Sequence, residues 1–489
     1  MKHLKKITAL ALAALLLVGL FSGCAEKQAP EEPEEKADLT FYFYDTFMRG
    51  SKAGHIEEVA RQIVQEELGL LVDIRWISPM EWNNTVQLDI SGGEQVDVIC
   101  LTPGAHVAEL SGMGMLMDLS DLLPQYAPEA YAQMGEYLNC YTVDGALYGV
   151  PTAKDFTESR YLLFNADILD ECRLRKKAVT LSTLDQVETI FEEVTSREEN
   201  VAWAFGAEEG LWAEGFLTGA TEFENHTCYD SLSDPLGLLY CRDGAVSQVT
   251  AQEQYVAACT RLAHWKEQGW LWPDSANTVE DHQSLLERGK LFCSAATAES
   301  GLEITTATST DLVAVKLTEG LVTTRDLTQW GVGIASTCEN PEAACRFIEL
   351  LYTNSDLLMT LVRGIKLEDY LDTGANILLT GNYVQDDSII GNQQLLIPLS
   401  GGDPEHYIKV AEKNAAAPRS EALGFALDRS DLTGVLTALM SVQDRYHEGM
   451  VCGEYSEESY AEYQAALAEA GIAAYVSAVQ AQLDAFLAQ

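Results

Sequence analysis

Residues 39–101 alternate short β-rich runs with amphipathic helical patterns, and this alternation constrains the fold more than any other feature of the chain. The runs LTFYFYD, LLVDIRWI and VDVICL are typical of strands. An apolar pattern at helical spacing follows the first run and ends at Gly69, and a second helical pattern over 82–90 precedes the third run. Strands joined by helices favour parallel pairing, so the sequence predicts a doubly wound α/β sheet.

Similar elements recur later in the chain. RYLLFNADIL, GKLFCSAAT and TQWGVGIAS predict further strands, and Asn340 followed by Pro341 predicts the start of a helix. The chain has 489 residues, 47% of them hydrophobic, which is enough for two or three domains. We predict two doubly wound α/β lobes with a ligand cleft between them. The predicted divisions are 38–150 plus 293–345 for lobe 1, 151–292 plus 346–425 for lobe 2, and 426–489 for a helical C-terminal region packed on the lobes.

The N-terminal segment has a different composition. A basic start precedes an apolar run over 7–21, which is shorter than the roughly 20 residues of a membrane-spanning helix. Small residues then lead to Cys24, and an acidic stretch with prolines follows. This order predicts a signal peptide over 1–23 and a flexible tether over 24–37. The residues before Cys24 resemble a bacterial lipobox, which implies a lipidated Cys24; a secreted protein with an incidental cysteine is the alternative.

The net charge limits the partners. The chain carries 75 acidic and 31 basic residues, a formal net charge of −44, and removal of the signal peptide would also remove three lysines. Such a surface repels phosphate backbones and anionic lipid headgroups. We therefore expect no nucleic-acid partner, and membrane contact through the lipid anchor alone.

The eleven cysteines leave an even number once Cys24 is set aside. An exported chain permits disulfides, although one of this length does not need them for stability. Two pairs are close enough in sequence to bond, and the sequence favours neither: Cys338 with Cys345, and Cys228 with Cys241.

Motifs for metal or cofactor chemistry are incomplete in this sequence. No CxxC occurs, and no two of the eight histidines are spaced three or four residues apart, so we expect no metal site. HIEEV at His55 lacks the second histidine of a zinc-protease motif, and GVGIAS lacks the third glycine of a dinucleotide-binding fingerprint. We expect no cofactor.

Five stretches within 82–352 resemble, in order and spacing, the family 1 extracellular solute-binding proteins, which are lipid-anchored receptors of ABC importers, many of them for sugars. These stretches are WNNTVQLDISGGEQVDVICL, MDLSDLLPQYAPE, VDGALYGVP, YLLFNADIL and IASTCENPEAACRFIELLY. EALGFALDRSDLTGVLTALMSVQDRYHEGMVCGEY, near the C-terminus, is similar to a domain of unknown function that completes one lipoprotein subgroup.

The resemblance implies a type II periplasmic-binding-protein fold and a monomer on the extracytoplasmic face of the cell membrane. It implies hinge closure, the documented behaviour of periplasmic binding proteins, around a small-molecule solute, for which we expect an oligosaccharide. Since GxxxxGK[ST] is absent, separate permease and ATPase subunits must supply transport and its energy. We expect no enzymatic activity.

Two other classes stay open on the sequence. A secreted glycoside hydrolase needs two carboxylates across the scissile bond, but with 75 acidic residues a suitable pair is uninformative. A structural or adhesive surface protein is the other alternative.

Candidate ligand contacts follow from the chemistry of sugars. Their C–H faces stack on aromatic rings, and their hydroxyl groups need directed polar partners, which are expected beyond the carboxyl ends of strands. The candidates lie at predicted strand ends, at the lobe crossings and on the second helix: Tyr44, Asp45, Trp82, Thr102, Lys154, Asp155 and Trp330. We expect Trp330 to stack on the ligand or line the hinge side of the cleft, with Asp45 and Lys154 approaching from two sides.

The other tryptophans give weaker signals. Trp82 either projects into the cleft or packs in the core. The roles of Trp203 and Trp212 stay open, and the amphipathic end of a helix favours core positions for Trp265, Trp270 and Trp272.

Overall fold

A computed structural model describes residues 36–46, 53–103, 107–157, 159–197, 201–206, 229–272, 282–298, 311–381 and 383–488. The predicted signal peptide, Cys24, Trp212 and Cys228 lie outside these ranges. The strands are β1 Leu39–Tyr44, β2 Val72–Ile77, β3 Val98–Leu101, β4 Thr142–Val143, β5 Ala146–Leu147, β6 Val150–Pro151, β7 Ser159–Asn165, β8 Trp203–Gly206, β9 Leu239–Arg242, β10 Ala245–Gln248, β11 Leu291–Ala298, β12 Leu312–Lys316, β13 Gly331–Ile334, β14 Tyr370–Asp372 and β15 Ile377–Leu379.

The helices are α1 Ala53–Leu68, α2 Trp82–Gly92, α3 Val107–Gly112, α4 Leu122–Tyr126, α5 Pro128–Met134, α6 Ala166–Glu171, α7 Arg175–Ala178, α8 Leu184–Thr195, α9 Glu253–Glu267, α10 His282–Glu287, α11 Thr324–Leu327, α12 Pro341–Thr353, α13 Ser355–Arg363, α14 His406–Ala416, α15 Thr433–Val451, α16 Glu457–Ala470 and α17 Ile472–Leu487. Short 3₁₀ turns occur at Gly135–Tyr141, Val249–Ala251 and Gln393–Leu395.

The first sheet has the order β2-β1-β3-β13-β6. β1 pairs in parallel with β2 and β3, as the alternation of strands and helices predicts. β13 returns antiparallel to β3, and β6 pairs antiparallel with β13. The carboxyl ends of β1, β2, β3 and β6 therefore share one edge of the sheet with the start of β13. We call this edge the carboxyl edge.

The second sheet has the order β12-β7-β11-β8 and is mixed. β7 lies antiparallel to both β11 and β12, and only β11 and β8 run in parallel. Trp265 of α9 is fully buried there against Phe191 of α8 and Phe205 of β8. Trp272 is also buried, as predicted, whereas Trp270 is half-buried against the same core.

The structure divides the chain between the lobes at other positions than the sequence boundaries. β11 and β12 lie in the second sheet, so the predicted boundary at 292/293 assigns them to the wrong lobe. Conversely, α12 and α13 bury Phe347, Ile348 and Leu357 in the core of the first sheet, so 346–363 belongs to lobe 1. The cause is physical: hydrogen-bonded neighbours decide the sheet of a strand, and those neighbours are distant in sequence.

The two glycines of GVGIAS have a packing role. A Cβ atom at Gly331 would lie 2.5 Å from the Tyr141 hydroxyl and 2.6 Å from the Val150 carbonyl oxygen. A Cβ atom at Gly333 would lie 3.0 Å from the carbonyl oxygen of Tyr148. Glycine in a strand interior often marks such a close backbone approach. These glycines therefore allow the 141–151 segment to pack closely on β13.

The C-terminal helices α15, α16 and α17 form a third core with the β9–β10 hairpin and α9. Tyr475 of α17 donates a 2.6 Å hydrogen bond from its hydroxyl to Asp234, and Val246 of β10 donates one of 2.7 Å to Gln480. The helical tail is thus packed against residues that follow the second sheet's β8. None of the helices described here is long and apolar enough to cross a membrane.

The cysteines within the described ranges, nine in number, are all buried thiols. Cys338 and Cys345 are among them, so the disulfide that their spacing permits is not formed. Burial raises the pKa of the Cys100 and Cys345 thiols to about 12. Since the thiolate is the reactive form, burial holds these two side chains in the less reactive thiol form.

Candidate functional site

Three aromatic side chains meet at the carboxyl edge. Tyr44 ends β1, Trp82 begins α2 directly after β2, and Trp330 immediately precedes β13. The Tyr44 ring lies 5.2 Å from the Trp82 ring and 5.3 Å from the Trp330 ring, with interplanar angles of 78° and 60°. These are the edge-to-face arrangements that aromatic pairs prefer. We call these residues the aromatic platform.

The members of the platform differ in exposure. Trp82 is only 1% exposed, so of the two options it packs in the core. Tyr44 and Trp330 are half-buried and pack against the core of the first sheet. Burial raises the pKa of the Tyr44 hydroxyl, which therefore stays neutral and can both donate and accept a hydrogen bond. Among the described residues, the buried Nε1 of Trp82 has no hydrogen-bond partner.

The backbone beneath Trp330 is held by two donors. The Tyr141 hydroxyl donates to the Trp330 carbonyl oxygen at 2.9 Å, and the Thr152 amide donates to the same oxygen at 2.9 Å. Gly331, the residue after Trp330, is also restricted by its close packing. The Trp330 ring therefore stands on a rigid strand end, which is the kind of support that a binding site needs.

Asp45 and Thr102 follow β1 and β3 at the same edge, and both are buried. Gln385 donates from Nε2 to Oδ1 of Asp45 at 2.7 Å and accepts at Oε1 from the Thr46 hydroxyl at 2.7 Å. The Asp45 amide donates to the Ile77 carbonyl oxygen at the end of β2. These bonds tie the residues after β1 to the 383–397 segment.

Lys154 and Asp155 lie in a different environment, on the segment that leads from β6 to β7. They are 2% and 1% exposed. Asp155 accepts from Lys413 Nζ at 2.7 Å and from both the amide and the hydroxyl of Thr157. The side chain of Asn414 donates to the Lys154 carbonyl oxygen at 2.6 Å. The contacts described here therefore join this pair to α14, while Tyr44 contacts both Trp82 and Trp330.

Sequence reasoning missed Gln385, Lys413 and Asn414. Gln385 lies in a stretch without regular periodicity, 340 residues from Asp45. Asn414 and Lys413 are 258 residues from their partners Phe156 and Asp155. No local pattern indicates contacts of this separation. The one usable signal is local, since Lys413 and Asn414 lie in the last turn of α14, shortly before Pro418.

Two further features of the described residues do not form a site. No group of three or more histidine, cysteine, aspartate or glutamate side chains suited to a metal ion occurs among the described residues. A shallow surface depression of about 530 Å³ lies beside α8 and α9 and includes Glu188, His264 and Trp270. Glu188 is already bonded to Arg261 and to the Trp265 ring nitrogen, and the depression lies on the helices of the second lobe, not on the platform.

Comparison with known proteins gives two matches along the chain. Residues 65–363 match the family model of bacterial extracellular solute-binding proteins, and residues 421–488 match a domain of unknown function, DUF3502. A carbohydrate ABC transporter substrate-binding protein of Streptococcus pneumoniae is 21% identical over 460 residues, which cover 90% of this chain and 88% of that protein.

Solved structures show the same fold. An N-glycan transport solute binding protein from Streptococcus pneumoniae has a TM-score of 0.80 at 17% identity, covering 92% of this chain and 99% of that one. An extracellular solute-binding protein from Bifidobacterium longum subsp. infantis has a TM-score of 0.64 at 14% identity, covering 93% and 99%. The fold is therefore the type II solute-binding fold that the resemblance implies.

The family match covers more than half of the chain and includes Trp82 and Trp330 of the aromatic platform, whereas β1 and Tyr44 precede the matched residues. The homologues are solute-binding proteins, which are not enzymes, so the glycoside hydrolase alternative is not retained. This chain belongs to the bacterial extracellular solute-binding proteins, a family of binding proteins and not of enzymes.

Proposed function

We propose that this chain is the lipid-anchored extracytoplasmic receptor of an ABC importer for a carbohydrate. It binds the sugar between its lobes, closes on it and delivers it to a membrane permease that a separate ATPase subunit drives. The observation that carries the proposal is the aromatic platform. Two half-buried rings on a rigid strand edge offer faces for the C–H side of a sugar, and neighbouring polar groups can orient its hydroxyls.

The relatives support a carbohydrate ligand. One is named as a carbohydrate ABC transporter substrate-binding protein, and the N-glycan transport protein has been crystallised with Man1GlcNAc and with Man5GlcNAc. A net charge of −44 also disfavours an anionic solute. Neutral oligosaccharides that contain mannose or N-acetylglucosamine are therefore the first class to test.

The candidate residues divide by role in this proposal. Tyr44 and Trp330 contact the sugar, and the buried Trp82 supports them from behind. Asp45 and Thr102 border the platform and contribute polar groups there. Lys154 and Asp155 act at the crossing between the lobes, where closure brings the second lobe toward the platform.

Binding without turnover is the direct test. Titration of the purified soluble domain with neutral oligosaccharides, followed by calorimetry and tryptophan fluorescence, should give saturable binding, and no new reducing ends should be released. Trp330→Ala should weaken binding. Trp270→Ala is the matched control, because Trp270 is also half-buried but packs in the second lobe. Equal binding by both variants, or release of reducing ends, would contradict the proposal.

The anchor has its own test. Cys24 lies outside the described residues, and its lipidation rests on the sequence around it. Mass spectrometry of the membrane fraction should find the mature chain beginning at a diacylated Cys24. Cys24→Ala should release the protein into the medium, and an unmodified N-terminus at another residue would contradict the anchor.

The partners are tested by genetics and by co-purification. Permease genes beside the coding sequence, and loss of uptake of one sugar on deletion, are the expected results. The detergent-solubilised permease should retain the receptor, and the free receptor should elute as a monomer. Unchanged uptake of every tested solute would count against a transport role.

A further inference from the structure

The two sheets are connected by short chain segments, and α14 holds one of them. Residues 152–158 lead from β6 to β7, and residues 317–323 lead from β12 toward α11 and β13. A third segment, 417–424, follows α14 and runs beside the second: the Val322 amide donates to the Pro418 carbonyl oxygen, and the Ser420 amide donates to the Val322 carbonyl oxygen, both at 2.9 Å.

The contact between α14 and the first segment includes four hydrogen bonds made by two adjacent residues, one of them from Lys413 Nζ to the Thr157 carbonyl oxygen at 3.4 Å. Asn414 accepts at Oδ1 from the Phe156 amide at 2.9 Å and donates from Nδ2 to the Lys154 carbonyl oxygen at 2.6 Å. Lys413 donates to the Asp155 carboxylate at 2.7 Å. Asn414 is 8% exposed and Asp155 1%. We call Lys413 and Asn414, with the backbone that they hold, the hinge clamp.

The hinge clamp belongs to lobe 1. Tyr407 of α14 packs in the core of the first sheet and donates from its hydroxyl to Asp387 at 2.8 Å. Ala153 is also fixed on that side, because its amide donates to the Gly391 carbonyl oxygen at 2.8 Å and its carbonyl oxygen accepts from the Gln393 amide at 3.0 Å. Residues 152–157 are thus held to lobe 1 from both sides.

Two hydrogen bonds join the first two segments on the side of the second sheet. The Arg160 amide donates to the Thr318 hydroxyl at 3.1 Å, and the Leu317 amide donates to the Arg160 carbonyl oxygen at 2.7 Å. The clamp on one side and the pairing of Ser159 and Arg160 in β7 on the other bound the first segment closely, and in the second segment the backbone that can turn is limited to 318–322. A few loop residues of this kind absorb the dihedral changes of domain closure.

We propose that Lys413 and Asn414 are positioning residues for ligand capture: by fixing 153–157 to lobe 1 they set the pivot on which the lobes close, and so set the affinity without touching the ligand. This proposal rests on the proposed function, because affinity depends on closure only in a receptor of this kind. Without the clamp, the pivot extends back toward residue 152, and more open conformations become accessible. A smaller fraction of molecules is then able to close, and the apparent affinity for the ligand falls in proportion to that fraction.

Hydrogen exchange of the ligand-free protein tests the pivot directly. Asn414→Ala removes the acceptor of the Phe156 amide, so exchange in peptides that cover 153–157 should be at least tenfold faster. Lys409→Ala is the matched control, because Lys409 lies one turn earlier on α14 and is 56% exposed in an ion pair with Asp403. Unchanged exchange at 153–157 in Asn414→Ala would overturn the proposal.

Two further variants, Lys413→Met alone and Lys413→Met with Asp155→Asn, separate an effect on the pivot from an effect on stability. They also test the proposal if Asn414→Ala does not fold. Lys413→Met leaves the buried Asp155 carboxylate without its cation, and adding Asp155→Asn removes that charge. The double variant should recover the melting temperature, yet should keep faster exchange at 153–157 and about tenfold weaker glycan binding. If the double variant recovered wild-type exchange and wild-type affinity as well as the melting temperature, the contact would be purely structural and the proposal would be overturned.

Small-angle scattering distinguishes failure of the pivot from failure of the proposed function. The ligand-free double variant should have a larger radius of gyration than the Lys409→Ala control, whether or not a glycan ligand is known. If the wild-type protein binds no neutral oligosaccharide, the proposed carbohydrate function fails, and the exchange and scattering measurements still decide the pivot. An unchanged radius of gyration together with unchanged exchange would reject it.

Discussion

The carboxyl edge of the first sheet and the crossing at 152–158 supply two sets of candidate residues with opposite surroundings. At the edge, Tyr44 and Trp330 keep part of their rings exposed. At the crossing, Lys154 and Asp155 are almost completely buried and contact α14. Both sets are polar or aromatic residues near strand ends, so the sequence predicts both equally as ligand contacts.

The difference follows from what each backbone requires. Strand ends at a sheet edge have already satisfied most of their hydrogen bonds, and their side chains can face the solvent or a ligand. A segment buried between other elements must find partners for its own N–H and C=O groups. At the crossing, Asn414 supplies those partners and Lys413 neutralises the buried carboxylate. Position relative to a strand is therefore a better guide to side-chain exposure at an edge than at a crossing.

Truncation of the buried platform member should give the largest effect. Trp82→Ala should lower the free energy of unfolding by about 3–5 kcal/mol, because Trp82 is 1% exposed and its removal leaves a cavity. Urea unfolding of the soluble domain measures this. A loss of less than about 1 kcal/mol would show that the ring is not part of the core and would weaken the distinction between Trp82 and Trp330.

Truncation of the half-buried member should act on binding. Trp330→Ala should weaken glycan affinity by about 1–3 kcal/mol, tenfold to hundredfold, because it removes a stacking face. The melting temperature should change little, since the Trp330 backbone is held by Tyr141 and Thr152. Calorimetric titration and thermal unfolding of one sample give both values. A large fall in melting temperature with unchanged affinity would place Trp330 in the core.

Acid should weaken the contact between His447 of the C-terminal helices and Tyr255 before it affects the carboxyl edge or the crossing. Burial lowers the pKa of His447, which faces the Tyr255 hydroxyl, to about 4. The unfolded chain binds the proton more readily, so this contribution is fully present above the ordinary histidine pKa and is lost as the pH falls toward 4. We expect a loss of about 1 kcal/mol between pH 7 and 5.5. Denaturant titrations of wild type and His447→Gln measure it; equal pH slopes would reject this origin.

The smallest effect is expected at Asp45. Asp45→Asn keeps the size of the side chain and its Oδ1, which can still accept from Gln385 Nε2. We expect a change of less than about 1 kcal/mol in stability and less than tenfold in affinity. Titration of the variant with the same oligosaccharide decides the matter. A hundredfold loss of affinity with an unchanged melting temperature would assign the Asp45 carboxylate to the ligand itself.

Local sequence patterns were sufficient for the elements that carry the platform. The β-rich run before Tyr44, the helical period before Gly69 and the Asn340–Pro341 helix start each correspond to an observed element. The alternation of strands and helices predicts parallel pairing, and parallel pairing places the carboxyl ends of these strands at one edge of the sheet. The platform could therefore be proposed as a cluster, although the sequence did not show which ring is buried.

The sequence by itself determined the strand and helix pattern, the acidic charge, the absence of cofactor motifs and the family that the motifs resemble, because these depend on local periodicity and composition. Only the tertiary structure decided that β11 and β12 join the second sheet, that Gln385 holds Asp45, and that Lys413 and Asn414 hold the crossing. Each of these depends on hydrogen bonds between residues far apart in sequence, and the folded backbone alone brings such partners together.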